Sequence, residues 1–294
     1  MTEKFISCAK INLFLYITSK REDGYHTLYS LMTPIDLCDD LFLDFEAEKT
    51  KVICNHPGVP EDESNLAYKA VVLFYDALKE RGYEKKGIGI EIIKRIPPGG
   101  GLGGGSSNAA TVLTALNAFY DHPFLKSELI HMGLCLGADV PFFIFGGPAI
   151  VEGLGEKFGK APDLQPHHLV LCDPGVAAAT ADVYKRYDFE LTSNQKYTMN
   201  AGLNVPLRGQ EFDAGTWVHN DLEGPACSLY PEIRETKEEM ELLLRTKVRM
   251  TGSGSSLFAL FQARKDAEKG CEILLESWAG SKRQVFLSSF GGKM

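Results

Sequence analysis

Two groups of residues could do chemistry by their types and spacing. Residues 96–113, IPPGGGLGGGSSNAATVL, place six glycines among the seven positions from Gly99 to Gly105 and then run straight into an apolar-periodic segment. Glycine-dense backbone loses much conformational freedom on folding, so it marks a place where main chain must curl tightly or approach something closely. The first N–H groups of a helix have no internal acceptor, and the helix dipole favours an anion there. A strand, a glycine loop and a helix N-terminus in that order read as a phosphate site, with Ser106 and Ser107 adding hydroxyl donors. The second group lies in FISCAKINLFLYI, residues 5–17, where alternation puts Ile11, Leu13, Leu15 and Ile17 on one face and Lys10, Asn12, Phe14 and Tyr16 on the other. A lysine on an inner strand face is costly to bury unless an anion meets it.

The familiar phosphate loops do not fit. No lysine follows the glycines, so the G-x-x-x-x-G-K-[ST] loop is absent. Gly99, Gly101 and Gly104 satisfy G-x-G-x-x-G, but so would any run this dense. The acidic residue that a dinucleotide fold wants about 20 residues on would fall in FYDHPFLKSE, which reads as a helix end and a turn. The H-R-D and D-F-G signatures of protein kinases are missing as well.

Short strands and turns dominate the first third of the chain, with Asp23-Gly24 marking one turn. SNLAYKAVVLFYDALKERG, residues 64–82, has helical spacing with Ser64 or Asn65 as N-cap and Gly82 as stop. GIGIEIIKRI leads as a strand into the glycine loop, and NAATVLTALNAFY leaves it as a helix. KSELIHMGLCLG reads as a helix capped by Ser127 and ended by Gly137, and His167-His168 read as the entry to a strand. A composition rich in glycine and proline over 146–166 marks a change of unit. Beyond it come HLVLCDPG, a loop-rich stretch, a helix from Pro231 to Leu244, and KVRMTGSGSSLFALF as strand, loop and strand. A helix and a last strand follow. This order implies two α+β domains, divided as 1–158 and 159–294.

The 294 residues are 44% hydrophobic with a net charge of −8 and no long basic run, which argues against nucleic acid as the partner. Seven scattered cysteines without a C-x-x-C pair are expected to be reduced residues of a cytoplasmic protein. Lys10 interrupts the apolar N-terminal stretch, so no export signal and no membrane span is expected.

PPGGGLGGGSSNAA resembles the second motif of the GHMP kinases, small-molecule kinases whose glycine loop differs from the P-loop. AKINLFLYITSKREDGYHTLYSLM (9–32) is similar to the first motif of one branch, and MTGSGSSLFALF (250–261) to the third. GADVPFFIFGGPAIVEGLGE (137–156) and HNDLEGPA (219–226) also resemble that branch, in family order over nearly the whole chain. The resemblance implies an N-terminal ribosomal S5 domain 2-like domain, a C-terminal ferredoxin-like domain and an active site in the cleft between them. It implies transfer of the ATP γ-phosphate to the 2-hydroxyl of a cytidine-diphosphate-linked methylerythritol, with Mg²⁺, in a bacterium or plastid; an N-terminus without a transit-like stretch favours a bacterial cytoplasm, and a monomer or weak homodimer is expected. Other family members act on homoserine or mevalonate, which carry no base for DGYH to stack.

The resemblance implies roles residue by residue. Asp139 would be the base; a side-chain N-cap for a short helix at Pro141 is the rival reading. Lys10 would neutralise charge, and Asn12 would orient substrate hydroxyls or Asp139. Tyr25 would stack on cytosine and His26 hydrogen-bond it, with Tyr184 on the other side and Thr180 nearby. Asn65, Pro98, Gly99, Gly100, Gly101, Leu102, Gly103, Gly104, Gly105, Ser106, Ser107 and Asn108 would hold ATP. Ser106 and Ser107 are both open as metal contacts. Asn108 stands where the family usually has an acidic residue, and is expected to cap the helix. The third motif is expected to shape the wall between the ligands. Residues 186–218 match nothing in the family.

Overall fold

The computed structural model describes residues 2–83, 86–193 and 217–291. Most of the unmatched stretch, from 194 to 216, lies outside them.

Two long strands, β1 (Thr2–Lys20) and β2 (His26–Asp44), form an antiparallel hairpin whose turn is the Asp23-Gly24 corner, with Gly24 at φ +86°. The register slips between Cys8 and Lys10, between Asn12 and Phe14, and between Ile17 and Ser19. Bulges kink a strand and re-aim its side chains. The second slip breaks the alternation expected here: Ile11, Leu13 and Phe14 enter one core, and Leu15 another. Lys10 and Asn12 sit between two slips and point away from both cores. Cys8 and Cys38 are direct partners in this ladder and form a disulfide. That corrects the expectation of reduced cysteines for this pair: their proximity depends on strand register, which their separation of 30 residues does not reveal. Cys54, Cys135, Cys172, Cys227 and Cys271 are free.

β3 (Lys51–Cys54), β4 (Gly89–Ile93), β5 (Ala149–Gly153), β6 (Lys157–Lys160) and the two-residue β8 (His219–Asn220) complete the first sheet. Its order is β3-β4-β2-β1-β8, with β5 also on β2 and β6 on β5. Helices α1 (Leu66–Glu80), α2 (Gly104–Phe119), α3 (Lys126–Leu136) and α4 (Val140–Phe145) cover one face, closing over Leu41, Leu43, Ile90 and Ile92. α1 begins as expected, since Asn65 accepts the Ala67 N–H at 2.8 Å. α3 does not: its N-cap is Leu125, and the Glu128 carboxylate accepts the Leu125 N–H instead.

The second sheet joins β7 (His167–Asp173), β9 (Val248–Met250), β10 (Leu257–Phe261) and β11 (Gln284–Phe290), all antiparallel in the order β11-β7-β10-β9. The chain order is strand, helices, hairpin, helix, strand, which with this strand order is the ferredoxin-like arrangement. α5 (Thr180–Ser193), α6 (Glu223–Leu229), α7 (Pro231–Leu244) and α8 (Arg264–Ser277) accompany it. α5 and α6 fall in the stretch expected to be loop. Leu169, Leu171, Phe258 and Phe290 meet Ile11, Leu13, Phe14 and Leu31 in one core, while Val170, Cys172, Leu257 and Ala259 face helices on the other side. The layers therefore run helix, sheet, sheet, helix. β6 crosses the expected boundary at 158/159, and the second sheet starts at His167. Among the described residues no helix is long and apolar enough to cross a membrane.

Candidate active site

A cavity of about 1230 Å³ opens between the two units. It exceeds the ~300–1,000 Å³ of an ordinary ligand pocket, as a site for two sizeable ligands should. Every candidate residue lines it except Ser107.

The glycine loop is held by short left-handed steps: Gly99, Gly101 and Gly103 have φ of +78°, +76° and +70°. Leu102, 1% exposed, plugs the middle of the loop into the inter-sheet core, and its carbonyl accepts the Lys10 N–H at 3.0 Å. Gly103 is the N-cap of α2, whose first bond runs from the Ser107 N–H to the Gly103 carbonyl. The N–H groups of Gly104, Gly105 and Ser106 therefore have no acceptor within the helix, at the cavity wall. The last three residues of the glycine run are themselves the cap and first turn of α2. Asn108 consequently lies too deep in the helix to cap it, which corrects that expectation. It is 3% exposed and donates to Ser7 and Asp39. Ser107 is also buried, with its hydroxyl accepting from Ser7 at 2.7 Å. Of the two serines only Ser106 faces the cavity.

Lys10 has 3% of its side chain exposed, and its Nζ lies 2.8 Å from Asn12 Oδ1 and 3.3 Å from Asp139 Oδ2. Asp139, 37% exposed, stands at the start of α4 without a side-chain capping bond, so its carboxylate stays in the cavity. The capping alternative is thereby not realised. Asn12 is fixed by its amide donating to Ser30 at 2.8 Å, and its backbone N–H donates to Thr251 Oγ1 at 2.9 Å. Asn12 thus orients Lys10 directly. The sequence alone does not mark Ser30 or Thr251 as its partners.

The two glycine-rich loops lie backbone against backbone. The Ser256 N–H donates to the Gly100 carbonyl at 3.0 Å, and a Cβ at Gly101 would stand 2.6 Å from the Thr251 carbonyl oxygen. Asn220, on β8, ties the same loop by donating to the Met250 and Gly252 carbonyls, both at 2.8 Å. Gly252, Ser253 and Gly254 line the cavity, and Ser253 meets the Thr180 hydroxyl at 2.7 Å.

At the far end, His26 stacks on Tyr184 with ring centroids 5.0 Å apart and an angle of 28°. His26 Nε2 is 2.7 Å from Asp188 Oδ1. Partial burial pushes the Asp188 carboxyl up, but hydrogen bonds from Lys20 and His26 outweigh it and hold the group below its usual range. Burial, with Asp139 adding to it, pushes the Tyr184 hydroxyl up to about 12. Tyr25 is 66% exposed on the turn and lines the mouth of the cavity. Asn65 lies on the wall beside the glycine loop with its amide donating to the Pro60 carbonyl at 2.6 Å, and Pro98 is exposed at the loop's entry. Asp188 was not legible beforehand, because it belongs to a helix that the sequence did not announce.

Such a site can bind a polyphosphate at the α2 N-terminus, place a carboxylate and an ammonium beside it, and offer aromatic rings at its far end to a planar group. Residues 65–147 match the family described as GHMP kinases N terminal domain, and 213–280 match GHMP kinases C terminal. A protein of Clostridium botulinum named 4-diphosphocytidyl-2-C-methyl-D-erythritol kinase is 38% identical over 92% of this chain and 95% of its own length. One of the same name from Geobacter sulfurreducens is 36% identical over 92% and 94%. A crystal structure of 4-(cytidine 5'-diphospho)-2C-methyl-D-erythritol kinase superposes with a TM-score of 0.76 at 32% identity, covering 99% of this chain and all of that one. A homoserine kinase from Cytophaga hutchinsonii shares the fold, with a TM-score of 0.66 at 18% identity, covering 98% of this chain and 94% of its own.

Proposed function

The chain belongs to the GHMP kinases, in the branch of the 4-diphosphocytidyl-2-C-methyl-D-erythritol kinases, and from that premise we propose how its residues divide the reaction. The enzyme transfers the γ-phosphate of ATP to the 2-hydroxyl of 4-diphosphocytidyl-2-C-methyl-D-erythritol, a step of the non-mevalonate route to isoprenoid precursors. The observation that carries the division of roles is the Lys10–Asp139 contact of 3.3 Å beside the free amides that open α2.

In the proposed mechanism the triphosphate lies across the N–H groups of Gly104, Gly105 and Ser106. Asp139 accepts the proton of the acceptor hydroxyl as its oxygen bonds to the γ-phosphorus and the bond to the β-phosphate oxygen breaks, releasing ADP. Lys10, held by Asn12 and 3.3 Å from Asp139, offsets charge building on the transferring phosphoryl group. Tyr25, His26 and Tyr184 receive the cytosine, and Thr180 stands beside it. Asn65 and Pro98 flank the nucleotide end. Stacking tolerates any base, so discrimination falls to hydrogen bonds such as that of His26.

The donor chemistry fits Mg²⁺, a hard cation that keeps several waters and is usually held by phosphates with one or two protein oxygens. Among the described residues no cluster of three histidine, cysteine or carboxylate side chains could hold a metal alone. Ser106, which lines the cavity, would be its contact rather than the buried Ser107. The ion would neutralise phosphate charge during transfer. The relatives are bacterial, which supports a bacterial source.

The test is ADP release from ATP in magnesium buffer with the cytidylated acceptor, with free methylerythritol phosphate, mevalonate and homoserine as alternatives. The expected result is turnover with the cytidylated acceptor only, reduced by about 10²–10⁴-fold in Asp139→Ala and in Lys10→Ala. Full activity in Asp139→Ala would remove the base and leave catalysis to positioning and charge.

A further inference from the structure

One buried carboxylate outside the reacting groups touches both ends of the glycine loop. Asp39 is fully buried just past the end of the β2–β4 ladder, where Asp40 pairs with Ile93. Its Oδ1 accepts the backbone N–H groups of Arg95 at 2.8 Å and Ile96 at 2.9 Å, the residues by which the chain enters the loop. Its Oδ2 accepts from Lys94 Nζ and, at 3.0 Å, from the Asn108 amide, which is where the chain leaves the loop along α2. The same Asn108 amide donates to Ser7, and Ser7 donates to Ser107, so the helix is also tied to β1. The loop sits directly on this cluster: a Cβ at Gly104 would stand 2.7 Å from Lys94 Nζ and 2.9 Å from Ile96.

We propose that Asp39 is a positioning residue for the nucleotide: it clamps entry and exit of the glycine loop, so that ATP affinity depends on a carboxylate that never touches ATP. The physical reason lies in the loop's composition. Six glycines give the segment wide conformational freedom when its ends are loose, and binding would then have to order it. Fixing both ends with one rigid, solvent-excluded group removes that cost before ATP arrives. A buried ion pair contributes little net stability, yet its loss leaves Lys94 as an uncompensated charge beneath the loop. Asp39 faces two main-chain donors, one cation and one amide, and so satisfies both sides of the loop at once. The inference rests on the reading that the α2 N-terminus holds the phosphates.

The experiment measures ADP affinity by calorimetry in magnesium buffer, and KM for each substrate, in wild type, Asp39→Ala, Asp39→Asn and Asn108→Ala. Loss of the carboxylate oxygen that accepts two backbone N–H groups, and of one ion-pair partner, predicts roughly tenfold or greater weakening of ADP binding in Asp39→Ala, with KM for ATP rising in step. KM for the cytidylated acceptor stays within about twofold and kcat at saturation within about threefold, because no reacting group has moved. Asp39→Asn retains a carbonyl acceptor for Arg95 and Ile96 and recovers part of the loss. If Asp39→Ala does not fold, Asn108→Ala decides, since it keeps the Asp39–Lys94 pair and both main-chain bonds to Asp39 while removing the amide's bonds to Asp39 and Ser7; about fivefold or greater weakening is expected. Unchanged ADP affinity in a folded Asp39→Ala or Asn108→Ala overturns the proposal, as does an equal rise in both KM values. Wild type that binds ADP but never releases it from ATP with the acceptor would overturn the kinase reading instead.

Discussion

Lys10 shows how one side chain is made useful by its neighbours. A lysine with 3% exposure is accommodated because Asn12 and Asp139 face it, and Asn12 in turn is pinned by Ser30 and Thr251. Asn12→Ala removes the acceptor that aims the ammonium. The expected outcome is a fall in kcat of about 10–100-fold with KM for ATP little changed, since the effect acts on transition-state charge. Steady-state kinetics showing an unaltered kcat would mean Asp139 alone positions Lys10. The residue types that the proposed mechanism uses stood out in the sequence: a lysine and an asparagine on an inner strand face, and an aspartate ahead of Val140-Pro141. Which way Ser106, Ser107 and Asn108 turn was not legible there. That depends on the residue at which α2 starts, and moving the start to Gly104 rotates all three.

At the scale of elements, the loop glycines divide into those the backbone demands and those the ligand would demand. Gly101 combines φ of +76° with a Cβ position 2.6 Å from the Thr251 carbonyl oxygen. Gly105 lies within the first turn of α2, and its added Cβ would meet only Leu66 at 3.5 Å, an ordinary contact. Gly101→Ala should therefore cost about 2–3 kcal/mol of stability from strain and clash, read as a lower denaturation midpoint. Gly105→Ala should fold with equal or slightly greater stability, as alanine favours a helix, while raising KM for ATP because a methyl enters the phosphate cradle. If the two variants behave alike, the division is wrong. The strand, loop and helix order was readable from periodicity. α5 and α6 were not, because their apolar positions are sparse and tertiary contacts, such as that of Val183 with the second core, complete them.

For the whole molecule, the two sheets share one core, so the cleft is built on a single packed interior. Charge pairs at the edge of that body set its response to acid. Asp40 is held at about 2 by hydrogen bonds from Arg95 first and Lys4 second, against an ordinary value of about 3.9. A carboxyl whose folded value is depressed contributes stability that is complete above the unfolded value and is lost as pH falls toward the folded one. Asp40→Asn should therefore be less stable than wild type at pH 7, and the gap should close by about pH 2. Urea titrations in which the gap persists at pH 2 would show that the pair is not its source. Two α+β units were legible from element order. The way they interlock was not, because pairing between β1 and residues beyond 217 leaves no mark on local pattern.

That interlock bears on how the protein is made. β8 pairs with Phe14 and Leu15, the Asp221 carboxylate accepts the Ile17 N–H at 2.7 Å, and its own N–H donates to the Leu15 carbonyl at 3.0 Å. During synthesis the β1 edge at Phe14 and Leu15 therefore stays unsatisfied until residues 219–220 have followed. Such an edge invites pairing with other chains. The two halves, expressed as separate polypeptides, should find each other through this seam, which makes it the natural place to split the enzyme for complementation.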